Sequence, residues 1–219
     1  MAIQKTEAIL LRRQEVRETS LMLTAFSRDL GKFQGLVKGV RGSRAAVPWY
    51  LEPLTLQAVV LYERRRSPWM LVSACDLLDA FEPVRRDLAR TAYASYCLEL
   101  VDAMTGVRDP HPEIFELLLM ALRGMGRLEA DLRSLARFVE AHLLMVCGLL
   151  PQAESLPLSQ EGMVGLHQIL RTPFSQMALV HLSPGAEQQL QRAHLGLFRQ
   201  ALERDLRSKN FMHALALES

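Results

Sequence analysis

The chain has only three cysteines in 219 residues: Cys75, Cys97 and Cys147, with no two at Cys-x2-Cys spacing. So odd and scattered a set excludes a disulfide framework, and no histidine completes a zinc-finger pattern around it. The three read as reduced, mostly buried thiols in a reducing compartment. Long apolar runs are missing too. The longest candidate, His142–Leu150, is too short for a membrane span and fits a buried helical face. The opening Met1–Glu15 carries charges before, inside and after its one apolar patch and lacks a small-residue cleavage site. No secretory signal is expected, and the expected location is the cytoplasm.

Catalytic signatures are equally scarce. There is no Gly-x4-Gly-Lys-Ser/Thr loop, no Gly-x-Ser-x-Gly and no His-Glu-x-x-His, which removes the common nucleotide-hydrolysing, esterase and metalloprotease readings. The six histidines, His111, His142, His167, His181, His194 and His213, stand singly, and His142 reads as a hydrogen-bonded residue at a core edge. Asp76 and Asp79 read as solvated or turn-capping acids. The expectation is a protein that is not an enzyme and holds no cofactor.

What is present is a globular composition, 49% hydrophobic and 23% charged, with an uneven charge distribution. The net charge is only +2, but Met1–Val72 holds twelve Lys or Arg against six Asp or Glu, and Phe81–Ser219 holds fourteen against sixteen. The positive potential belongs to the first third of the chain.

The hydrophobic period divides the chain at about residue 80. Thr6–Arg13, Thr19–Ser27, Phe33–Val40, a run to Tyr62 and Trp69–Cys75 read as strands separated by turn residues. In the fourth, Leu54, Leu56, Ala58, Val60 and Tyr62 fall on one face at period two, with Thr55 and Gln57 on the other. Five short antiparallel strands with one long loop fit a small closed barrel, including the OB type, and Gly35 and Gly39 supply the bending that closure needs. From Glu82 the period becomes 3.6. Helices are expected over 82–105, from Pro112 to about Gly126, over 129–147, after the cap Ser159, and from Ser183-Pro184 to about Leu206. The fold class is thus α+β: a barrel domain over 1–80 and an all-helical bundle domain over 81–219.

Lys32, Lys38, Arg41 and Arg44 bracket strand three and its following loop. Arg12, Arg13 and Arg17 close strand one, and Arg64–Arg66 separates strands four and five. On an open barrel these side chains would reach backbone phosphates, positioning a strand without reading its bases. Trp49 and Tyr50, outside any expected strand, are the better stacking candidates. Phe33, Tyr62 and Trp69 alternate with polar residues and read as barrel core. The competing reading is a solvated basic surface with no nucleic-acid role.

These segments resemble the RecO family. Lys5–Lys32 (KTEAILLRRQEVRETSLMLTAFSRDLGK) is similar to that family's first two strands and Gly-Lys turn. Lys38-Gly39-Val40-Arg41 resembles its K-G-x-R element, Leu51-Glu52-Pro53-Leu54 its L-x-P segment, Ala92–Asp102 its first long helix and Leu206–Phe211 its basic C-terminus. The resemblance implies an N-terminal OB fold and a helical domain. It also implies binding to single- and double-stranded DNA, annealing of complementary strands, and help in loading RecA together with RecR. The implied DNA-contacting residues are Lys32, Lys38, Arg41 and Arg44, with Arg12 and Arg13. A contact with the acidic tail of single-stranded-DNA-binding protein is implied in the helical domain, where Arg207 and Lys209 carry suitable charge. An adaptor of the same pathway with little direct DNA contact is the alternative. Many relatives carry a four-cysteine zinc module after the helix corresponding to 129–147. Here 149–159 contains no cysteine, so no metal is expected.

Overall fold

The computed structural model describes residues 3–16, 19–40, 50–63, 67–127 and 129–202. Arg17, Arg41, Arg44, Trp49, Arg64–Arg66, Arg207 and Lys209 lie outside them.

Five strands form the first part: β1 (Ile3–Val16), β2 (Ser20–Ser27), β3 (Gly31–Lys38), β4 (Leu56–Tyr62) and β5 (Met70–Asp79). They close a barrel in the order β1-β2-β3-β5-β4, the OB-type arrangement. β1 closes it by pairing twice. Ile3–Ile9 lie against β4 and Ala8–Val16 against β2, with a bulge between Leu10 and Arg12 that bends the strand around the corner. One pair departs from the expected antiparallel pattern: β3 and β5 run parallel, touching at Gly35↔Met70 and Leu36↔Leu71. Gly35 permits that seam, because a Cβ there would come within 2.7 Å of Val72 Cγ2. Ala8, Leu10, Leu21, Leu23, Ala25, Phe33, Val37, Leu51, Val59, Leu61, Met70 and Val72 fill the interior.

Of the face expected to be apolar on β4, Leu54 and Leu56 are buried, but from Ala58 onward it points outward. Gln57, Val59 and Leu61 are buried, whereas Ala58, Val60 and Tyr62 are only half-buried. The reason is polar. Gln57 Nε2 donates to the Tyr50 carbonyl (2.6 Å) and to Thr55 Oγ1 (3.1 Å), and Thr55 Oγ1 donates to the Glu52 carbonyl (2.8 Å). These bonds tie the segment 50–55 across the barrel, and a satisfied amide or hydroxyl is cheap to bury. Leu54 turns the chain into β4 at φ 62°.

Helices α1 (Glu82–Arg85), α2 (Leu88–Met104), α3 (Pro112–Met125), α4 (Leu132–Val146), α5 (Gln160–Arg171) and α6 (Pro184–Leu202) follow, with short 3-10 turns at Ala153–Ser155 and Phe174–Leu179. The helix expected over 82–105 is broken in two. Asp87 Oδ1 accepts the Arg90 N–H (2.9 Å) and starts a new helix. Ser159 caps α5 by accepting the Gly162 N–H, and Ser183 Oγ accepts the Ala186 N–H at the start of α6.

The described residues fall into two compact units, one within Met1–Phe81 plus Thr105–Phe115, the other within Glu82–Met104 plus Glu116–Ser219. The chain thus returns to the barrel after α2. The Arg108 N–H donates to the Lys32 carbonyl (2.8 Å), Arg28 lies over the Phe115 ring at 5.6 Å, and Gly31 (φ 64°) leaves room for the Asp109 carbonyl where a Cβ would sit 2.1 Å away.

The helical unit buries charge. Glu140 of α4 accepts from Tyr96 Oη (2.6 Å), pairs with Arg137 Nη2 (2.9 Å) and meets His194 Nδ1 (3.0 Å). Arg137 also reaches Glu187 (3.2 Å). Arg137, Glu140 and His194 are all 0% exposed, so α2, α4 and α6 share one dry ionic cluster.

Candidate nucleic-acid interface

The strand register sorts the candidate cations. On β3, Gly31, Phe33, Gly35 and Val37 face inward, and Lys32, Gln34, Leu36 and Lys38 face outward. Lys32 and Lys38 therefore share one surface, six residues or roughly 20 Å apart along the strand. Arg12 also stands outward. It is exposed, it follows the bulge, and it stands opposite Thr24, which in turn stands opposite Gln34. Arg13 does not. It is opposite the core residue Leu23, and its guanidinium pairs with Glu52 at the barrel end. Lys32 and Lys38 thus share one outward face of β3, Arg12 stands outward on β1 with the buried β2 between, and Arg13 is engaged with Glu52 instead.

The two ends of β3 differ. Beside Lys32 runs the returning segment, bridged through Val107, and next to it Arg108 is spent on Glu63 (2.7 Å). Lys38 is exposed and makes no ion pair among the described residues. β2 is buried along its whole length, so the accessible part of this face lies on β3, β5 and β4.

Aromatic residues are redistributed relative to expectation. Phe33 is core, as its alternation suggests. Tyr50 packs against the core cluster and is not an open ring. Tyr62 is half-buried on the outer face and Trp69 is 43% exposed just before β5. Ser67 Oγ holds the Trp69 backbone, accepting its N–H (3.2 Å) and donating to its carbonyl (3.1 Å). The sequence signal for Trp69 was the preceding Ser67-Pro68 turn, which places it outside the strand alternation. For Tyr62 there was none, since period two does not say which face is inside.

No metal-holding group of three His, Cys, Asp or Glu lies among the described residues, so a donor set for the zinc that the resemblance raises is not assembled there. Burial, with Asp76 beside it, pushes the Cys75 thiol up to about 12. Burial also raises Cys97 and Cys147, disfavouring the thiolates that metals need. His142 is stacked on Phe138 at 4.2 Å, its Nδ1 3.0 Å from the Phe138 carbonyl, a satisfied core residue. His111 does not stand alone as expected. It lies between Glu113 (3.2 Å) and Asp109 (3.3 Å), and the Glu113 hydrogen bond raises its pKa. No described helix is long and apolar enough to cross a membrane.

The family description "Recombination protein O N terminal" matches residues 1–81, and "Recombination protein O C terminal" matches residues 85–156. The chain belongs to the RecO family. A DNA repair protein RecO from Moorella thermoacetica is 30% identical over 175 residues, 80% of this chain and 64% of the relative. RecO proteins from Alkaliphilus metalliredigens (31%, covering 69% of this chain and 61% of the relative) and Pelotomaculum thermopropionicum (32%, covering 75% and 63%) are comparably similar. The chain thus spans somewhat under two thirds of the length of the curated RecO relatives it matches.

Proposed function

We propose that this RecO-family chain is a DNA-binding recombination mediator that brings complementary single strands together and, with RecR, helps load RecA, without making or breaking a covalent bond. The observation that carries the reading is a closed OB-type barrel whose outer side carries Lys32 and Lys38 on β3 and the exposed Arg12 on β1. In OB folds the face of strands two and three, with the adjoining loops, is where oligonucleotides are held. Arg41 and Arg44, which follow β3 in sequence, extend the same positive segment.

The chemistry is electrostatic. Two strands repel through their phosphates, and a cationic surface lowers that cost while leaving base edges free to pair. Lysine and arginine reaching phosphates release condensed counterions, so affinity falls steeply with salt and varies little with base sequence. Contact with the acidic tail of single-stranded-DNA-binding protein through the region of Arg207 and Lys209 belongs to the same proposal.

A salt titration of strand binding and annealing, with and without single-stranded-DNA-binding protein, tests it. A log–log slope steeper than about −3, with little sequence preference, is expected for several phosphate contacts. A flat response shifts the reading to a protein–protein adaptor.

A further inference from the structure

Five strand positions place a continuous apolar row on the outside of this barrel. Ile3 stands opposite Tyr62, Tyr62 opposite Leu71, Leu71 beside Leu36, and Leu36 opposite Met22. All point away from the core, whose neighbouring members are Leu61, Val72, Val37 and Leu21. Met22 is buried, Leu36, Tyr62 and Leu71 are half-buried, and Ile3 is 58% exposed. Trp69, two residues before Leu71, stands at the edge of the row with its backbone fixed by Ser67. A single exposed apolar side chain needs no explanation, whereas a contiguous row on a sheet face marks a binding surface. From Ile3 across β4 and β5 to Leu36 the row is about 14 Å wide. That is the scale on which a four-stranded sheet stacks two or three bases.

Charge identifies the occupant. Two residues along their strands from the ends of the row, Lys38 follows Leu36 and Lys5 follows Ile3, both exposed. A flat apolar strip with an aromatic ring at its edge and a cation on either flank complements a polyanion that carries aromatic rings. Duplex DNA keeps its base faces inside its own stack and offers such a strip nothing. An unpaired strand can turn its bases onto it while its phosphates reach the lysines. Stacking of this kind tolerates any base, because every base has a π-face.

We infer that the outer row Ile3–Tyr62–Leu71–Leu36, with Trp69, is a base-stacking platform that adds affinity for unpaired strands over duplex. The inference deepens the DNA-binding reading and rests on it. Lys38 and its neighbours supply attraction to any phosphate backbone, and the platform adds a contribution that only unpaired bases can use.

The test compares three probes of equal length and charge: an oligo-deoxythymidine, the same backbone made abasic, and a duplex. The wild-type chain is expected to bind the thymidine strand roughly tenfold or more tightly than the abasic one, and Trp69→Ala to remove most of that difference. Trp69→Phe should restore it, and Trp69→Ala should leave duplex binding within about twofold. Ile3→Ser, at an exposed position that leaves the core untouched, should reduce the difference as well. Equal affinity of the wild type for thymidine and abasic strands, or an equal loss on all three probes in Trp69→Ala, overturns the platform. Lys38→Glu is the separate control. It is expected to weaken all three probes together, and if it and salt change none of them the DNA-binding reading itself falls.

Discussion

The barrel and the helical unit dispose of their charges in opposite ways. In the barrel, the buried polar residues among those described are neutral, Gln57 and Thr55 among them, and the cations Arg12 and Lys38 stay at the surface. In the helical unit the ions go inside, with Arg137, Glu140 and His194 fully buried between α2, α4 and α6. A surface cation such as Lys38 remains available to a partner, at almost no cost to folding. A buried one is committed to its neighbours, and it makes the fold depend on each of them. The barrel is thereby suited to meeting a polyanion, and the helical cluster to fixing three helices in one arrangement.

The sharpest way to break that contrast is to remove one member of the buried cluster. Glu140→Ala leaves Arg137 without its main counter-charge in a dry site and is expected to cost about 3–5 kcal/mol. Denaturant unfolding followed by helical circular dichroism reads this directly. An equally buried Glu140→Gln should recover part of the loss by keeping hydrogen bonds to Tyr96 and His194. A cost below about 1 kcal/mol for the alanine variant would show that the cluster is solvated and that the contrast is false.

Gly31→Ala strikes the barrel unit at a comparable but smaller scale. The residue sits at φ 64°, and its missing Cβ is where the Asp109 carbonyl passes. The clash is with backbone, which cannot rotate away, so a loss of about 1–3 kcal/mol is expected. Hydrogen exchange should show the segment 105–115 opening first. Unchanged protection there would mean that the segment does not depend on its seat against β3.

Acid separates the two units again. Burial alone would raise the Glu140 carboxyl, but Arg137, His194 and Tyr96 outweigh it and hold its pKa below the usual carboxylate range. A depressed carboxylate contributes stability that is fully present above the unfolded pKa of about 4.3 and lost as pH falls through the lower folded value. Burial also lowers the pKa of His142. Its neutral form is the folded one, so its contribution is present above about pH 6.5 and declines as pH falls below that. The helical unit should therefore weaken in two stages, first below about pH 6.5 and then below about 4. Monitoring α-helical and β-sheet signals separately during acid titration checks this. Glu140→Gln should shrink the second stage and leave the first unchanged.

How far the sequence foretold this follows from the same contrast. Barrel and bundle were legible because period two gives way to period 3.6 near residue 80, and the caps Ser159 and Ser183 marked α5 and α6 directly. The outward face of β4 was not legible, because Gln57 is buried through a bond to the Tyr50 carbonyl, a partner that only the folded loop supplies. The return of 105–115 to the barrel was hidden for a similar reason. Its tie is a backbone hydrogen bond to Lys32, which leaves no trace in residue type. Arg137 and Glu140 stand three apart on α4 and look like an ordinary surface pair. Their burial comes from Tyr96 and His194, 44 and 54 residues away from Glu140 in sequence. Charge counting named Arg12 and Arg13 alike, and only the folded register and the pair with Glu52 tell their surroundings apart.

That last distinction yields the smallest and most discriminating prediction. Lys38 is exposed on the outer face, whereas the Arg13 guanidinium is engaged with Glu52 at the barrel end. If the outer face is the phosphate track, Lys38→Ala should reduce the magnitude of the log–log salt slope of strand binding by roughly 0.7–0.9, the loss of one phosphate contact. Arg13→Ala should leave that slope within error. It should instead lower stability by no more than about 1 kcal/mol, because a partly exposed pair is worth little. Equal slope changes in the two variants would mean that the strand runs over the barrel end as well as the face. The boundary between charge kept for a ligand and charge spent on the fold would then lie elsewhere.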